Sequence, residues 1–148
     1  MTPAGSEIPE VPADDDRSAR AASLRSRAAV EAGDRAAWLA LFAPDAVVAD
    51  PVGPSPLDPV GEGHRGAEAI AAFWDNVIGP NQVRMAIHSS HAGGNEVANV
   101  VTITNVIADG SSASVDIMTV YAVDESGAIT SLRAFWEFDD LRFTPAEG

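Results

Sequence analysis

A carboxylate that works as a base near neutral pH must be partly withdrawn from water, because desolvation raises its pKa towards the working range. One stretch of this chain supplies that setting. Asp50 follows Val47, Val48 and Ala49 and precedes Pro51, Val52 and Gly53. The two valines suit a covered strand. Pro51 has no N–H, so a strand ladder cannot run through it, and it biases Asp50 towards extended backbone. Gly53 then lets the chain turn. The stretch reads as a short buried strand that delivers one acid to its end, where it is placed to act as a general base. An Asp before Pro is also an ordinary turn former, and the stretch alone allows both roles.

The remaining candidates for chemistry are weaker. His64 and His88 are far apart in sequence, and His91 lies three residues from His88 in a turn-like segment. Without an HxH or HxxxH pair, three convergent metal donors are not expected, and no metal is assigned. His64 reads as the end of a loop, and His88 as a residue on the outside of its strand. Ser26, His88 and Asp50 lack a nucleophile-elbow context, so a hydrolase triad is not expected. Gly93-Gly94 is not followed by a helix and reads as a hairpin rather than a phosphate cradle.

Composition narrows the class further. The chain has 148 residues, enough for one domain with a real core. Its formal net charge is −13, and all nine basic residues are arginine. Nucleic acid is a poor partner for so acidic a chain, and without lysine there is no Schiff base. There is no cysteine, which removes disulfides, thiolate metal sites and a thiol nucleophile. The N-terminal segment carries acids and prolines rather than a basic and then apolar run, and no apolar run is long enough to cross a membrane. The expectation is a cytoplasmic protein whose ligand is a small neutral or weakly polar molecule.

Positioning Asp50 requires the surrounding elements. Residues 1–16 read as an acidic, disordered tail, residues 17–140 as one domain and residues 141–148 as a C-terminal tail. Asp14-Asp15-Asp16 would cap a helix over 17–32, which Gly33 ends. Asp34 starts a second helix with Trp38, Leu39, Leu41 and Phe42 as its apolar stripe up to Pro44. A loop rich in Pro and Gly follows over 54–66. A third helix spans 67–77, with Ile70, Ala71, Phe73, Trp74 and Val77 on its apolar face. Four β-rich runs then complete the chain, at 83–88, 97–107, 112–123 and 128–138, with turn signals between them. This is an α+β plan in which a curved, mostly antiparallel sheet wraps round helices from the N-terminal half.

Two of these runs can be read for their faces. Ala113, Val115, Ile117, Thr119 and Tyr121 alternate inward, as do Leu132, Ala134, Trp136 and Phe138. Met118, Val120 and Phe135 then face outward, which is apolar enough to suggest a homodimer through the sheet. The run 97–107 is half apolar on both faces and gives no orientation.

These features together resemble the Δ5-3-ketosteroid isomerases of the nuclear-transport-factor-2-like (SnoaL-like) superfamily. The shared marks are the helix-Gly33-Asp34-helix, the strand end at 47–53, and His64-Arg65-Gly66 before the third helix. The hairpin at Asp124-Glu125-Ser126-Gly127 and the terminal Leu132-Arg133-Ala134-Phe135-Trp136-Glu137 complete the set, so the likeness runs from about residue 20 to 138. It implies a conical sheet on three helices, often dimeric, and a cofactor-free isomerase. It also implies that Asp50 is the base and that Trp136 lines the pocket beside it. Trp74 is a core residue that can also wall the pocket, and Phe42, Ile117, Ala134 and Val30 complete the expected substrate lining.

The oxyanion donors depart from that family pattern. The family tyrosine falls on Ser26, seven residues before Gly33, and the family's protonated Asp falls on Thr119. The supporting tyrosines fall on Phe42 and Trp74. Asp116 lies three residues from Thr119 and so on the opposite face unless a bulge intervenes. Loss of one oxyanion donor costs about a hundred- to a thousandfold in rate. Three readings follow: an isomerase of a steroid-like cyclic ketone with Ser26 or Thr119 polarising the carbonyl, a non-catalytic steroid or lipid binder, or a polyketide cyclase or epoxide hydrolase. The last of these needs a second carboxylate or an Arg in the pocket.

Overall fold

The computed structural model describes residues 11–146. Its first helix, α1 (Ala19–Ala32), starts at Ser18, whose hydroxyl accepts the Ala21 N–H at 3.1 Å. Gly33 ends it with φ of 66°, and its N–H turns back to the carbonyls of Ala29 and Val30. The cap is therefore Ser18 and not the aspartate run. Asp16 instead accepts the Ser18 N–H, while Arg17 and Arg25 donate to the carbonyls of Asp14 and Ala13. The end of the expected tail is thus hydrogen-bonded to the domain, and residues 1–10 lie outside the described residues.

The second helix, α2 (Arg35–Leu39), is capped by Asp34 but stops well short of Pro44. Phe42 opens the strand β1 (Phe42–Ala49), although its spacing from Trp38 is helical. The cause is non-local. Strand β6 (Ile129–Phe135) pairs parallel with β1, and the Ile129 N–H donates to the Leu41 carbonyl at 2.8 Å. Pro44 is accommodated because the register slips between Phe42 and Val47.

His64 and Arg65 form a two-residue strand, β2, opposite Val48 and Val47. Helix α3 (Ala67–Phe73) continues into a π-helical turn over Trp74–Ile78, in which the Gly79 N–H reaches the Trp74 carbonyl at 2.7 Å. The expected helix over 67–77 is therefore wound differently in its last turn, as π-turns commonly are near functional sites.

Strands β3 (Gln82–Gly93), β4 (Glu96–Val106) and β5 (Ser112–Val123) follow as an antiparallel meander. The sheet order is β2-β1-β6-β5-β4-β3. β6 covers β5 only from Met118 to Val123, and the vacated end at Ser112–Ser114 pairs with β7 (Arg142–Thr144). Part of the expected C-terminal tail is therefore strand, and residues 147–148 lie outside the described residues. The architecture is the α+β plan of a curved sheet with its helices on one face.

The alternation read in β5 holds: Ala113, Val115, Ile117, Thr119 and Tyr121 are buried, and Asp116 and Met118 are exposed. β4 is oriented by Val97, Asn99 and Val101, which are buried. Asn99 explains why its faces could not be told apart. It donates to the Ser23 hydroxyl on α1 at 3.0 Å, a polar contact inside an apolar face.

Candidate functional site

Parallel pairing makes β1 and β6 leave the sheet at the same end, since Ala49 stands opposite Arg133. Asp50 and Trp136 follow those strands directly. The Trp136 indole N–H donates to Asp50 Oδ1 at 2.6 Å. Val52 N–H donates to the Ala134 carbonyl at 2.9 Å, which ties the turn after Asp50 to β6. The peptide bond between Asp50 and Pro51 is cis.

Asp50 lines a partly open cavity of about 250 Å³ between α1, α2, α3 and the concave side of the sheet. Val30, Phe73, Met85, Ile103, Ile117 and Leu132 are among its apolar walls. Asp50 is the one carboxylate among the described lining residues, and no arginine lines the cavity there. Burial pushes the Asp50 carboxyl above its ordinary value, opposed by the Trp136 hydrogen bond and by the charge of His64. His64 places its ring 5.0 Å from that of Phe73, and its buried Nε2 has no protein partner.

The Trp136 bond favours the ionised carboxylate. Trp136→Phe therefore raises the Asp50 pKa further and moves the acid limb of any pH–rate profile to higher pH. A profile of kcat/KM for both proteins measures that shift, and an unmoved limb would show that the bond does not act on the titrating group.

Hydroxyl side chains also reach the cavity. Ser26 and Thr119 line it, and each is almost fully buried in the fold. Ser26 Oγ accepts the Trp38 indole N–H at 3.0 Å and the Tyr121 hydroxyl at 2.9 Å. Burial, with the charge of Asp50 adding to it, pushes the Tyr121 phenol up to about 12, against a lowering by its Ser26 bond. It is a neutral donor at any working pH. The arrangement can hold a flat apolar ketone, offer its oxygen hydroxyl protons and present one carboxylate to a carbon-bound proton.

A model of the SnoaL-like domain matches residues 24–132. The chain belongs to the SnoaL-like family. It is 35% identical over 129 residues to the steroid Δ-isomerase of Nocardioides simplex, covering 86% of this chain and 96% of that one. Among solved structures it is similar to the Δ5-3-ketosteroid isomerase from Mycobacterium sp., with 40% identity and a TM-score of 0.81. That match covers 85% of this chain and 98% of the other. It is also similar to RV0760c from Mycobacterium tuberculosis, solved in complex with estradiol-17β-hemisuccinate. There the identity is 34% and the TM-score 0.80, over 84% and 98% of the two chains.

Within this SnoaL-like fold, Asp50, Ser26, Thr119, Trp136, Ile117 and Val30 meet at one cavity. Phe42, Trp74 and Ala134, expected as substrate lining, do not line it. Phe42 packs edge-on against Trp38 at 4.6 Å, and Trp74, in the π-helical turn after α3, lies in the core 5.4 Å from Trp38. Trp38, which was not among the expected lining residues, borders the cavity instead. Ala134 is buried beside Val101, Val115 and Ile117, and only its carbonyl reaches the Asp50 turn.

Asp116 stays outside, as alternation requires, because the β4–β5 register runs without a bulge. It accepts from Thr102 at 2.7 Å and from Arg142. Among the described residues no group of three His, Asp or Glu is arranged to hold a metal ion. Likewise no described helix is long and apolar enough to cross a membrane.

Tyr121, Asn81 and Asn105 line the cavity and were not assigned to it from sequence. Tyr121 had a signal: it is the one tyrosine of the chain and shares a strand face with Thr119. Asn105 had a weaker one, since it shares the Val97, Asn99 and Val101 face, and Asn81 in a turn had none.

Proposed function

We propose that this protein is a ketosteroid isomerase-like enzyme that moves a proton within a steroid-like cyclic ketone. Asp50 takes the proton from the carbon between the carbonyl and the isolated double bond. The electron pair shifts onto the carbonyl oxygen as a dienolate, where the hydroxyls of Ser26 and Thr119 donate hydrogen bonds. Asp50 then returns the same proton to the far end of the conjugated system, so the reaction is balanced without a cofactor. The observation that carries this reading is the single desolvated carboxyl of Asp50 in a largely apolar cavity that the hydroxyl residues Ser26, Thr119 and Tyr121 also line. The similarity to steroid isomerases supports the substrate class.

The test is conversion of a Δ5-3-ketosteroid to its conjugated isomer, followed by the new ultraviolet absorbance. Turnover above the buffer rate supports the enzyme. Tight binding of the same steroid without turnover favours the second reading, a steroid-binding protein, for which the replacement of phenol and acid by Ser26 and Thr119 speaks. A cyclase or epoxide hydrolase with a second charged group is disfavoured by the uncharged remainder of the described lining.

The protein is also proposed to act as a homodimer through the outer sheet face, where Met118 is 45% and Phe135 42% exposed. Placing a charge there by Met118→Glu halves the mass seen by sedimentation at micromolar concentration. A monomeric wild type would sink the proposal.

A further inference from the structure

We infer that Tyr121 and Trp38 are positioning residues that set the Ser26 hydroxyl as a polarised hydrogen-bond donor aimed into the cavity, towards a ketone or enolate oxygen. The inference rests on the proposed reading of the cavity as a site for an enolisable ketone. A serine hydroxyl has one proton to give and two lone pairs to receive. In α1 the usual use of a buried serine's proton is a bond to a carbonyl of the preceding turn. Ser23 does this, donating to the Arg20 carbonyl at 2.7 Å.

Ser26, three residues on, is arranged differently. Its oxygen receives the Trp38 indole N–H at 3.0 Å and the Tyr121 hydroxyl at 2.9 Å. An indole can only donate, so the first of these bonds has a fixed direction. With both lone pairs occupied, the serine proton is left to point away from its two neighbours. Among the described residues it makes no return bond to its own helix, and the side chain lines the cavity.

Two incoming donors also strengthen the outgoing one. Hydrogen bonds in a chain polarise one another, and the effect grows in a low-dielectric interior. Tyr121 is 3% exposed, Trp38 1% and Ser26 1%, so all three work out of water. As negative charge develops on the substrate oxygen, the proton of Ser26 shifts towards it, and the phenol and indole stabilise the charge left on Oγ. A phenol on strand β5 thus serves the site from one hydroxyl away from the substrate. The high pKa of Tyr121 agrees with this use, because the phenol keeps its proton.

The experiment is a double-mutant cycle on wild type, Ser26→Ala, Tyr121→Phe and the double variant. Two readouts are taken: binding of estradiol against its 3-deoxy counterpart, and turnover of a Δ5-3-ketosteroid. The ring hydroxyl of estradiol stands in for the dienolate oxygen. Wild type is expected to prefer estradiol by about tenfold, the value of one buried hydrogen bond or a little more. Ser26→Ala removes most of the preference and leaves only what Thr119 supplies, Tyr121→Phe cuts it several-fold, and Tyr121→Phe adds nothing once Ser26 is gone. Where turnover is present, kcat follows the same non-additive pattern with KM little changed. Trp38→Phe, which keeps an aromatic ring, gives the same pattern through the second donor.

Additive losses would overturn the relay, as would equal weakening of the two steroids or a wild type that does not distinguish them. Absent turnover with the binding cycle intact would instead sink the isomerase reading alone.

Discussion

Asp50→Asn is expected to lower turnover of a Δ5-3-ketosteroid by about a hundred- to ten-thousandfold, the range that a positioned general base contributes. Asparagine keeps the shape and an oxygen that can accept from the Trp136 indole, so binding of the planar steroid survives with an affinity close to wild type. Loss of rate with retained binding is the signature of a group that acts in the proton-transfer step. A variant that keeps more than a tenth of the activity would remove Asp50 from the role of base.

The same substitution has a second consequence with a definite sign. Burial raises the Asp50 pKa in the folded chain above its ordinary value of 3.8. Between 3.8 and that raised value the folded state holds a proton that the unfolded state has released. Stability therefore falls as pH rises through this window, and above it the ionised Asp50 is a full liability to the fold. Asp50→Asn accordingly raises the melting temperature at pH 7. The gain shrinks on acidification and vanishes below 3.8, where the wild-type carboxyl is neutral in both states. Thermal melts of both proteins across pH 3–8 measure it. An inactive variant that is also more stable is expected where a charged group is kept in an apolar cavity for its chemistry.

Much of this site is readable from residue order because it depends on local periodicities. A strand of period two assigns Thr119, Ile117 and Tyr121 to one face and Asp116 to the other, and the β4–β5 ladder keeps that assignment. Asp50 is marked by the proline and glycine after it. The features that escaped depend on contacts distant in sequence. Phe42 has helical spacing from Trp38, yet pairing of β1 with β6, almost ninety positions away, draws it into a strand. Trp74 has the spacing of an apolar helix face, but spacing identifies a buried face without saying which buried face borders the cavity. Arg142–Thr144 is a strand because β6 leaves one end of β5 unpaired, which nothing in those residues announces. The Ser26, Trp38 and Tyr121 cluster unites a helix, the next helix and a strand 95 positions from Ser26.

Trp38→Ala is expected to cost about 3–5 kcal/mol, as truncation of a fully buried aromatic does. Trp38 is 1% exposed and is the shared neighbour of Phe42 at 4.6 Å, Trp74 at 5.4 Å and Phe73 at 6.4 Å. It also anchors α2, whose five residues are too few to stay helical by themselves. Truncation leaves a void that neighbours held on separate elements cannot readily close, and it removes one of the two donors to Ser26. A domain of this size has only about 5–15 kcal/mol in hand, so urea unfolding of the variant should show a midpoint far below wild type. Trp38→Phe refills most of the void and recovers much of that loss, but it cannot restore the indole N–H. The two variants therefore separate the roles of this side chain: stability follows the ring, and the preference for an oxygen-bearing steroid follows the N–H. A loss below about 1 kcal/mol in Trp38→Ala would mean that Phe42 and Trp74 collapse into the space, and the aromatic cluster would then not be what holds α2 against the cavity.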